Sequence, residues 1–162
     1  MPVSLRMGPT SGSWRSINAG QSPEIVTQPV FLPVLEQGRS PQEQSSGYVI
    51  AGCAGPAAAA ALQRSPTWRI LRNDALCQAV RFTNGDIQAA FYAPGELEVD
   101  GMQIAAVDHP CLLLKSGNDL WLADPTQQAG KVAFAWGTSP KKIVALPAGG
   151  TAARLSLAPD ER

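Results

Sequence analysis

A chain of 162 residues suits one compact domain, or a small domain with part of a second, and folding buries about 70% of the surface at this size. Hydrophobic residues make up 44% of the chain and charged residues 16%, and thirteen basic side chains balance thirteen acidic ones. A net charge of zero creates no long-range field, so we predict neither nucleic acid nor a membrane as a partner.

The first fifty residues carry weak strand signals. Residues 1–13 are rich in glycine, serine and proline, and we expect them to be loosely ordered. An apolar run follows at 25–35, where Pro29 and Pro33 predict an edge strand because proline donates no hydrogen bond. Residues 47–51 predict a further strand.

A single helix is predicted, at residues 57–63. The segment is rich in alanine, and Pro56 stands at the first helical position, where proline is tolerated. About two turns of helix are not stable alone, so we expect the helix to pack on a sheet.

Residues 66–126 read as a ladder of short strands bounded by turn residues. Predicted strands occupy 68–71, 75–82, 87–92, 96–100, 102–107, 111–114 and 120–123, followed by 131–136, 143–146 and a final edge strand with Leu155 and Leu157. The glycine-containing stretches 83–86, 99–102 and 116–119 predict hairpin turns. The pattern indicates an all-β fold, an antiparallel β-sandwich with one short helix.

The candidates for a metal site or a disulfide are few. The three cysteines, Cys53, Cys77 and Cys111, lack CxxC spacing and make a poor zinc set with the single histidine, His109. We interpret them as buried hydrophobic residues, with a Cys77–Cys111 bridge as the alternative. We predict no metal and no cofactor.

The pair Asp108 and His109 invites an acid–base interpretation. Neighbours in a strand point to opposite faces, however, and no motif places a nucleophile beside them, so we predict a turn and assign no catalytic residue. Asp119 and Asp124 do not complete the alternating spacing of a calcium loop. Asp124, followed by proline and threonine, predicts a turn.

Tryptophan offers the best ligand candidates, because sugar rings stack on aromatic faces. Three tryptophans lie in predicted strands and are expected in the core: Trp68, Trp121 and Trp136. Trp14 lies instead in a polar loop with Arg15 and Asn18, which we predict to form a carbohydrate-binding cluster; the alternative is that Trp14 fills a seam between two domains. Arg81 is interpreted as a solvated charge.

Several segments, in their order, resemble the C-terminal end of polysaccharide lyase family 8, the hyaluronate, chondroitin AC and xanthan lyases. Those segments are 12–18 (Gly-Ser-Trp-Arg-Ser-Ile-Asn), 47–50 (Gly-Tyr-Val-Ile), 68–73 (Trp-Arg-Ile-Leu-Arg-Asn), 78–81 (Gln-Ala-Val-Arg) and 120–127 (Leu-Trp-Leu-Ala-Asp-Pro-Thr-Gln). Residues 71–74 match the family's leucine-asparagine-threonine pattern loosely, and residues 36–38 stand where members often carry histidine-glycine. The resemblance covers about residues 12–136.

The resemblance implies that residues 1–51 are the tail of a central β-supersandwich and residues 52–162 a small C-terminal β-sandwich. It implies an extracellular or periplasmic enzyme that cleaves uronic-acid-containing polysaccharides by β-elimination, although residues 1–18 show no signal peptide. The family's catalytic asparagine, histidine, tyrosine and arginine belong to an α/α-toroid, which a chain with fifteen glycines, fourteen prolines and one short helix does not contain.

Three functional hypotheses follow from the resemblance. The chain is the non-catalytic β-region of a lyase, partnered by an acidic polysaccharide and a catalytic toroid. It is alternatively a free-standing carbohydrate-binding module that uses Trp14, Arg15 and Asn18. As a third hypothesis, it is one subunit of a split lyase whose catalytic domain lies on a separate chain.

Overall fold

A computed structural model describes residues 2–42, 44–128 and 130–157. The chain divides into two compact units, Met1–Gln44 and Ser45–Arg162. The first unit is a long antiparallel hairpin of β1 (Val3–Gly12) and β2 (Val26–Leu35), joined through a short 3-10 turn at Trp14–Ser16.

The hairpin corrects the expectation that residues 1–13 are loosely ordered. Strand β1 pairs with β2 along its whole length, from Val3 opposite Leu35 to Gly12 opposite Val26. A ribbon of two strands tolerates proline because every second N–H points away from the partner strand. Pro29 and Pro33 therefore interrupt no sheet, and their edge-strand position is as predicted.

The second unit carries the helix and ten strands within the described residues. These elements are α1 (Pro56–Arg64), β3 (Trp68–Asn73), β4 (Cys77–Phe82), β5 (Ile87–Phe91), β6 (Gly95–Val99), β7 (Met102–Val107), β8 (Cys111–Ser116), β9 (Asp119–Ala123), β10 (Lys131–Trp136), β11 (Lys142–Ala145) and β12 (Ala153–Ser156). The predicted ladder from β3 to β12 is confirmed.

The ten strands form two antiparallel sheets. One sheet has the order β11-β10-β7-β6 and the other the order β12-β9-β8-β5-β4-β3. A single hydrophobic core takes side chains from both sheets, including Phe91, Leu113 and Leu122 from the six-stranded sheet and Leu97 and Phe134 from the four-stranded one. The predicted antiparallel β-sandwich is confirmed.

Tight turns hold consecutive strands in register as the sequence predicted. Asp100 and Gly101, between β6 and β7, have φ angles of 53° and 80°, in the left-handed region of a tight hairpin turn. The turns at Gly85 and Gly117 likewise place glycine at positive φ. Glycine adopts this conformation without steric cost, which is why the turns could be read from the sequence.

One prediction about residues 47–64 is wrong. Residues 47–51 form no strand, and Tyr48, Val49 and Ile50 are exposed. Strand propensity needs a partner strand, and this segment has none among the described residues. Helix α1 forms as predicted, but none of its residues is buried, so it is not packed into the core.

A bridge between Cys77 and Cys111 is excluded by the strand register. Both residues lie opposite Phe91, on the two strands that flank β5, so two strand spacings of about 4.8 Å separate them. A disulfide needs Cα atoms within about 7 Å. All three cysteines are free thiols; Cys77 and Cys111 are buried, as predicted, but Cys53 is exposed.

We expect only one of the three cysteines, Cys53, to react with a thiol reagent in the native protein. Burial raises the pKa of Cys77, and it raises that of Cys111 to about 12, so neither forms the reactive thiolate near neutral pH. Titration with an aromatic disulfide reagent should modify Cys53 alone, and all three thiols in denaturant. Rapid modification of more than one native thiol would contradict the buried placement.

Candidate functional site

The turn between β1 and β2 presents the predicted carbohydrate cluster. Trp14 is 60% exposed, and its carbonyl accepts hydrogen bonds from the N–H groups of Ile17 (3.1 Å) and Asn18 (2.9 Å). Arg15 donates from Nε to the carbonyl of Gln21 (3.2 Å). Trp14, Arg15 and Asn18 thus belong to one exposed turn, and their binding of carbohydrate stays a prediction.

Asp108 and His109 form a bend between β7 and β8, as expected. His109 Nδ1 lies 2.9 Å from Asp108 Oδ1, and the same oxygen accepts the N–H of Ala133 on β10 at 2.7 Å. The hydrogen bond from His109, aided by that of Ala133, lowers the pKa of Asp108 despite partial desolvation. This carboxylate therefore ties the bend to β10.

Asp124 organises the predicted turn after β9. Its side chain is buried, and Oδ1 accepts from both the N–H (2.8 Å) and the hydroxyl (2.7 Å) of Thr126, while Oδ2 accepts from the N–H of Gln128 (2.7 Å). Asp108, Asp119 and Asp124 do not converge on a cation site. Within the described ranges, no three acidic, histidine or cysteine side chains are placed to share a metal ion.

Two of the three strand tryptophans lie outside the core. Trp136 is buried, as predicted, but Trp68 and Trp121 are only half-buried. Trp121 stands between Leu120 and Leu122, which both point into the core, so its indole must project from the opposite side of the sheet. We call that opposite side of the six-stranded sheet the outer face.

One register row of mostly apolar side chains crosses the outer face. Ile70, Val80, Gln88, Leu114, Trp121 and Arg154 stand opposite one another on β3, β4, β5, β8, β9 and β12. A groove of about 1330 Å³ runs over this face, with residues 46–49 and Gln63 at its margin. Val80 and Phe82 lie here, whereas Cys77 and Ala79 are the core residues of β4.

Ion pairs fix the cationic side chains around the groove. Arg154 lies 5.8 Å from the Trp121 ring and donates to Asp119 Oδ2 at 2.6 Å. At the other end, Arg72 donates to Asp74 at 2.6 Å, and this hydrogen bond, with those from two backbone N–H groups, lowers the pKa of Asp74 to about 2. These charges are already paired, and the Arg154–Asp119 pair joins β12 to β9.

Arg81 is exposed, in agreement with a solvated charge, but it is not isolated. It stands opposite Arg69 across β3 and β4, beside Asp100 in the turn after β6. Nothing in the sequence pairs residues 69 and 81, because only the strand register brings them together.

No helix in the described part of the chain has the length and apolar character to cross a membrane.

Comparisons with a family model and with a curated relative both relate this chain to polysaccharide lyases. Residues 69–133 match the family model for the polysaccharide lyase family 8, C-terminal beta-sandwich domain. Chondroitinase-AC of Pedobacter heparinus is 30% identical over 131 residues, which span 78% of this chain and 19% of that protein. The chain therefore corresponds to about a fifth of its curated relative.

Solved structures agree with this match. A chondroitinase AC lyase studied as oligosaccharide complexes is 25% identical with a TM-score of 0.73, over 94% of this chain and 24% of the other. Streptomyces coelicolor A3 chondroitin AC lyase (18%, TM-score 0.64, 96% and 24% covered) and Paenibacillus xanthan lyase (18%, TM-score 0.56, 82% and 13% covered) share the fold.

Proposed function

We propose that this chain, which belongs to polysaccharide lyase family 8 through the match of residues 69–133 to its C-terminal beta-sandwich domain, is the non-catalytic β-region of a lyase that cleaves uronic-acid-containing polysaccharides by β-elimination. The family match is the observation that carries the proposal. The relatives are named for chondroitin and xanthan, both acidic polysaccharides. An α/α-toroid, on the same or a separate chain, supplies the catalytic groups, and the enzyme works in the periplasm or outside the cell.

The state of the single histidine supports a non-catalytic role. His109 is held by Asp108, whose carboxylate also accepts the N–H of Ala133 and so serves the β-sandwich itself. A general base for β-elimination must reach the proton beside a sugar carboxylate. This pair lies in a bend between two strands and forms part of the framework.

We further propose residues 1–51 as the tail of a central β-supersandwich and residues 52–162 as the C-terminal sandwich, whereas the two compact units divide between Gln44 and Ser45. One face of the hairpin is apolar, with Val3, Leu5 and Met7 opposite Leu35, Pro33 and Phe31. Val3, Leu5, Met7 and Phe31 are each more than half exposed. An isolated two-stranded hairpin is marginally stable in water, so this face suits packing on a larger sheet.

The proposal predicts that the purified chain releases no unsaturated product from chondroitin sulfate, hyaluronan or xanthan. Ultraviolet absorbance of the product would be followed, with Pedobacter heparinus chondroitinase AC as the positive control. Product formed by the chain alone, in proportion to its concentration, would refute the non-catalytic assignment.

A chimera tests the accessory role directly. The chain would replace the matching part of Pedobacter heparinus chondroitinase AC, and a version of that enzyme lacking the part would be the control. We expect the chimera to keep lyase activity and the shortened enzyme to lose it. Equal activity of the two proteins would show that the β-region contributes nothing.

The exposed turn with Trp14, Arg15 and Asn18 favours a second candidate, a carbohydrate-binding module. Trp14 offers an open indole face to a sugar ring. If this turn is the binding site, Trp14→Ala should abolish retention of the chain on immobilised polysaccharide. Unchanged retention would eliminate it.

A further inference from the structure

The outer face of the six-stranded sheet leaves a group of apolar side chains in contact with water. Ile70 and Leu112 are exposed, Leu114 and Trp121 are half-buried, and Tyr48 is exposed at the margin of the groove. On a soluble protein, a contiguous apolar patch of several hundred Å² marks an interaction site. We therefore expect a surface from outside the sandwich to cover this face.

The size of the face indicates which kind of surface covers it. Six strands about 4.8 Å apart, with about five residues each at about 3.3 Å, measure roughly 25 Å by 17 Å. Packing a second surface here would bury about 800 Å² in total, counting both sides. Separate chains that form a stable pair bury about 1,200–2,000 Å², whereas interfaces between domains of one chain start at about 600 Å². The face is therefore too small for an independent dimer and large enough for a tethered domain.

The polypeptide reaches the sandwich along this same face. Asn73 Nδ2 donates to the carbonyl of Ser46 (3.4 Å), and a Cβ atom on Gly47 would lie 3.5 Å from Ile70 Cδ1. Residues 46–49 then line the groove. In family 8 this sandwich is the C-terminal domain, so the rest of the enzyme precedes it in sequence. The connection to that larger part runs past the groove, which raises its effective concentration at the face.

The groove offers no unpaired charge to a partner. Among the described residues that line it, Arg72 alone is charged, and it donates to Asp74 (2.6 Å) and to the carbonyl of Glu96 (2.9 Å). At the β12 end, Arg154 is paired with Asp119. A charged group buried here would lose its hydration without gaining a partner. The surface that covers the groove must therefore be apolar and uncharged.

We propose that the outer face is the surface on which the larger, preceding part of the lyase docks, through an uncharged apolar surface of its own. This inference rests on the proposed function, because it names where the partner required by the lyase assignment binds. The area and the connection at residues 46–49 favour this occupant over a second copy of the chain. Docking at this face would fix the orientation of the sandwich relative to the rest of the enzyme.

Thiol accessibility at position 88 tests whether the face is covered. Gln88 is exposed and lines the groove on β5. Gln88→Cys would be introduced into the full chain and into its chimera with Pedobacter heparinus chondroitinase AC, and peptide mass spectrometry would follow alkylation at that position. We expect alkylation in the chimera to be at least about tenfold slower than in the chain alone. Glu98→Cys, at an exposed position on the four-stranded sheet, is the control and should react equally fast in both proteins.

A matched pair of isoleucines tests whether apolar contact causes the protection. Ile70 lies on the outer face, and Ile143 is exposed on β11 of the other sheet. Ile70→Asp places a carboxylate where docking would exclude water, so it should speed alkylation of Gln88→Cys in the chimera by about threefold or more. Ile143→Asp should leave the protection unchanged. The same two substitutions in the chain alone correct for any direct effect of the carboxylate on the thiol.

Three results would overturn the inference: equal alkylation of position 88 in the chimera and in the chain alone, equal slowing at positions 88 and 98, or equal effects of the two aspartates. Protection in the chain alone that grows with protein concentration would assign the face to a second copy instead. Lyase activity of the chimera is measured separately. An active chimera with an unprotected groove contradicts only this inference, and an inactive chimera with a protected groove contradicts only the proposed function.

Discussion

Leu113→Ala should lower the free energy of unfolding of the β-sandwich by about 2–5 kcal/mol, whereas Leu112→Ala should lower it by less than about 1 kcal/mol. The two leucines are neighbours on β8 and face opposite sides of the sheet. Leu113 is 3% exposed and belongs to the core between the sheets, and Leu112 is 44% exposed on the outer face. Truncation of the first leaves a cavity, and truncation of the second removes side-chain atoms that are largely in water.

Urea denaturation followed by tryptophan fluorescence measures both variants against the parent chain. The adjacent positions form a matched pair, because residue type, strand and substitution are the same. Equal destabilisation by the two substitutions would mean that the outer face is covered in solution, either by another copy or by another part of the chain. Such a result would contradict the open groove.

Asp124→Ala should lower the free energy of unfolding by about 2–4 kcal/mol. The Asp124 carboxylate is 4% exposed and accepts three hydrogen bonds from Thr126 and Gln128. Alanine would leave two backbone N–H groups without these acceptors, in a partly buried turn where water replaces them incompletely. The turn joins β9 to the segment before β10, so its loss also loosens the link between the two sheets.

Two control variants define this effect. Asp124→Asn keeps an acceptor oxygen but loses the charge and should cost less than Asp124→Ala. Glu98→Ala removes a carboxylate from an exposed position on β6 and should leave stability nearly unchanged. A cost for Asp124→Ala no larger than that for Glu98→Ala would contradict a structural role for the turn.

The strands and turns of the sandwich could be predicted because their signals are local. A glycine after Asp100 favours the left-handed turn whatever surrounds it, and short apolar runs between such turns become strands. The helix could be predicted for the same reason, because Pro56 and the alanines after it favour a helix through their local propensity alone. The family resemblance likewise rests on short segments in a fixed order.

The sequence could not show which face of the sheet the half-buried tryptophans occupy. Trp121 lies between two leucines, so apolar residues occur on both faces of its strand and either face could be the buried one. Leu120 and Leu122 became the core residues only because the four-stranded sheet packs on that side. Residues 47–51 show the reverse case, in which good strand formers have no neighbouring strand to pair with among the described residues.

The amino-acid sequence by itself determined the fold class, most strand positions and the exposed turn at Trp14, since these depend on residues close together in the chain. Only the tertiary structure decided that β1 pairs with β2, that Cys77 and Cys111 lie too far apart to bridge, and that Arg69 faces Arg81. Each of these depends on strand register, which is set by the turns and the hydrophobic pattern of whole strands and not by any one short segment.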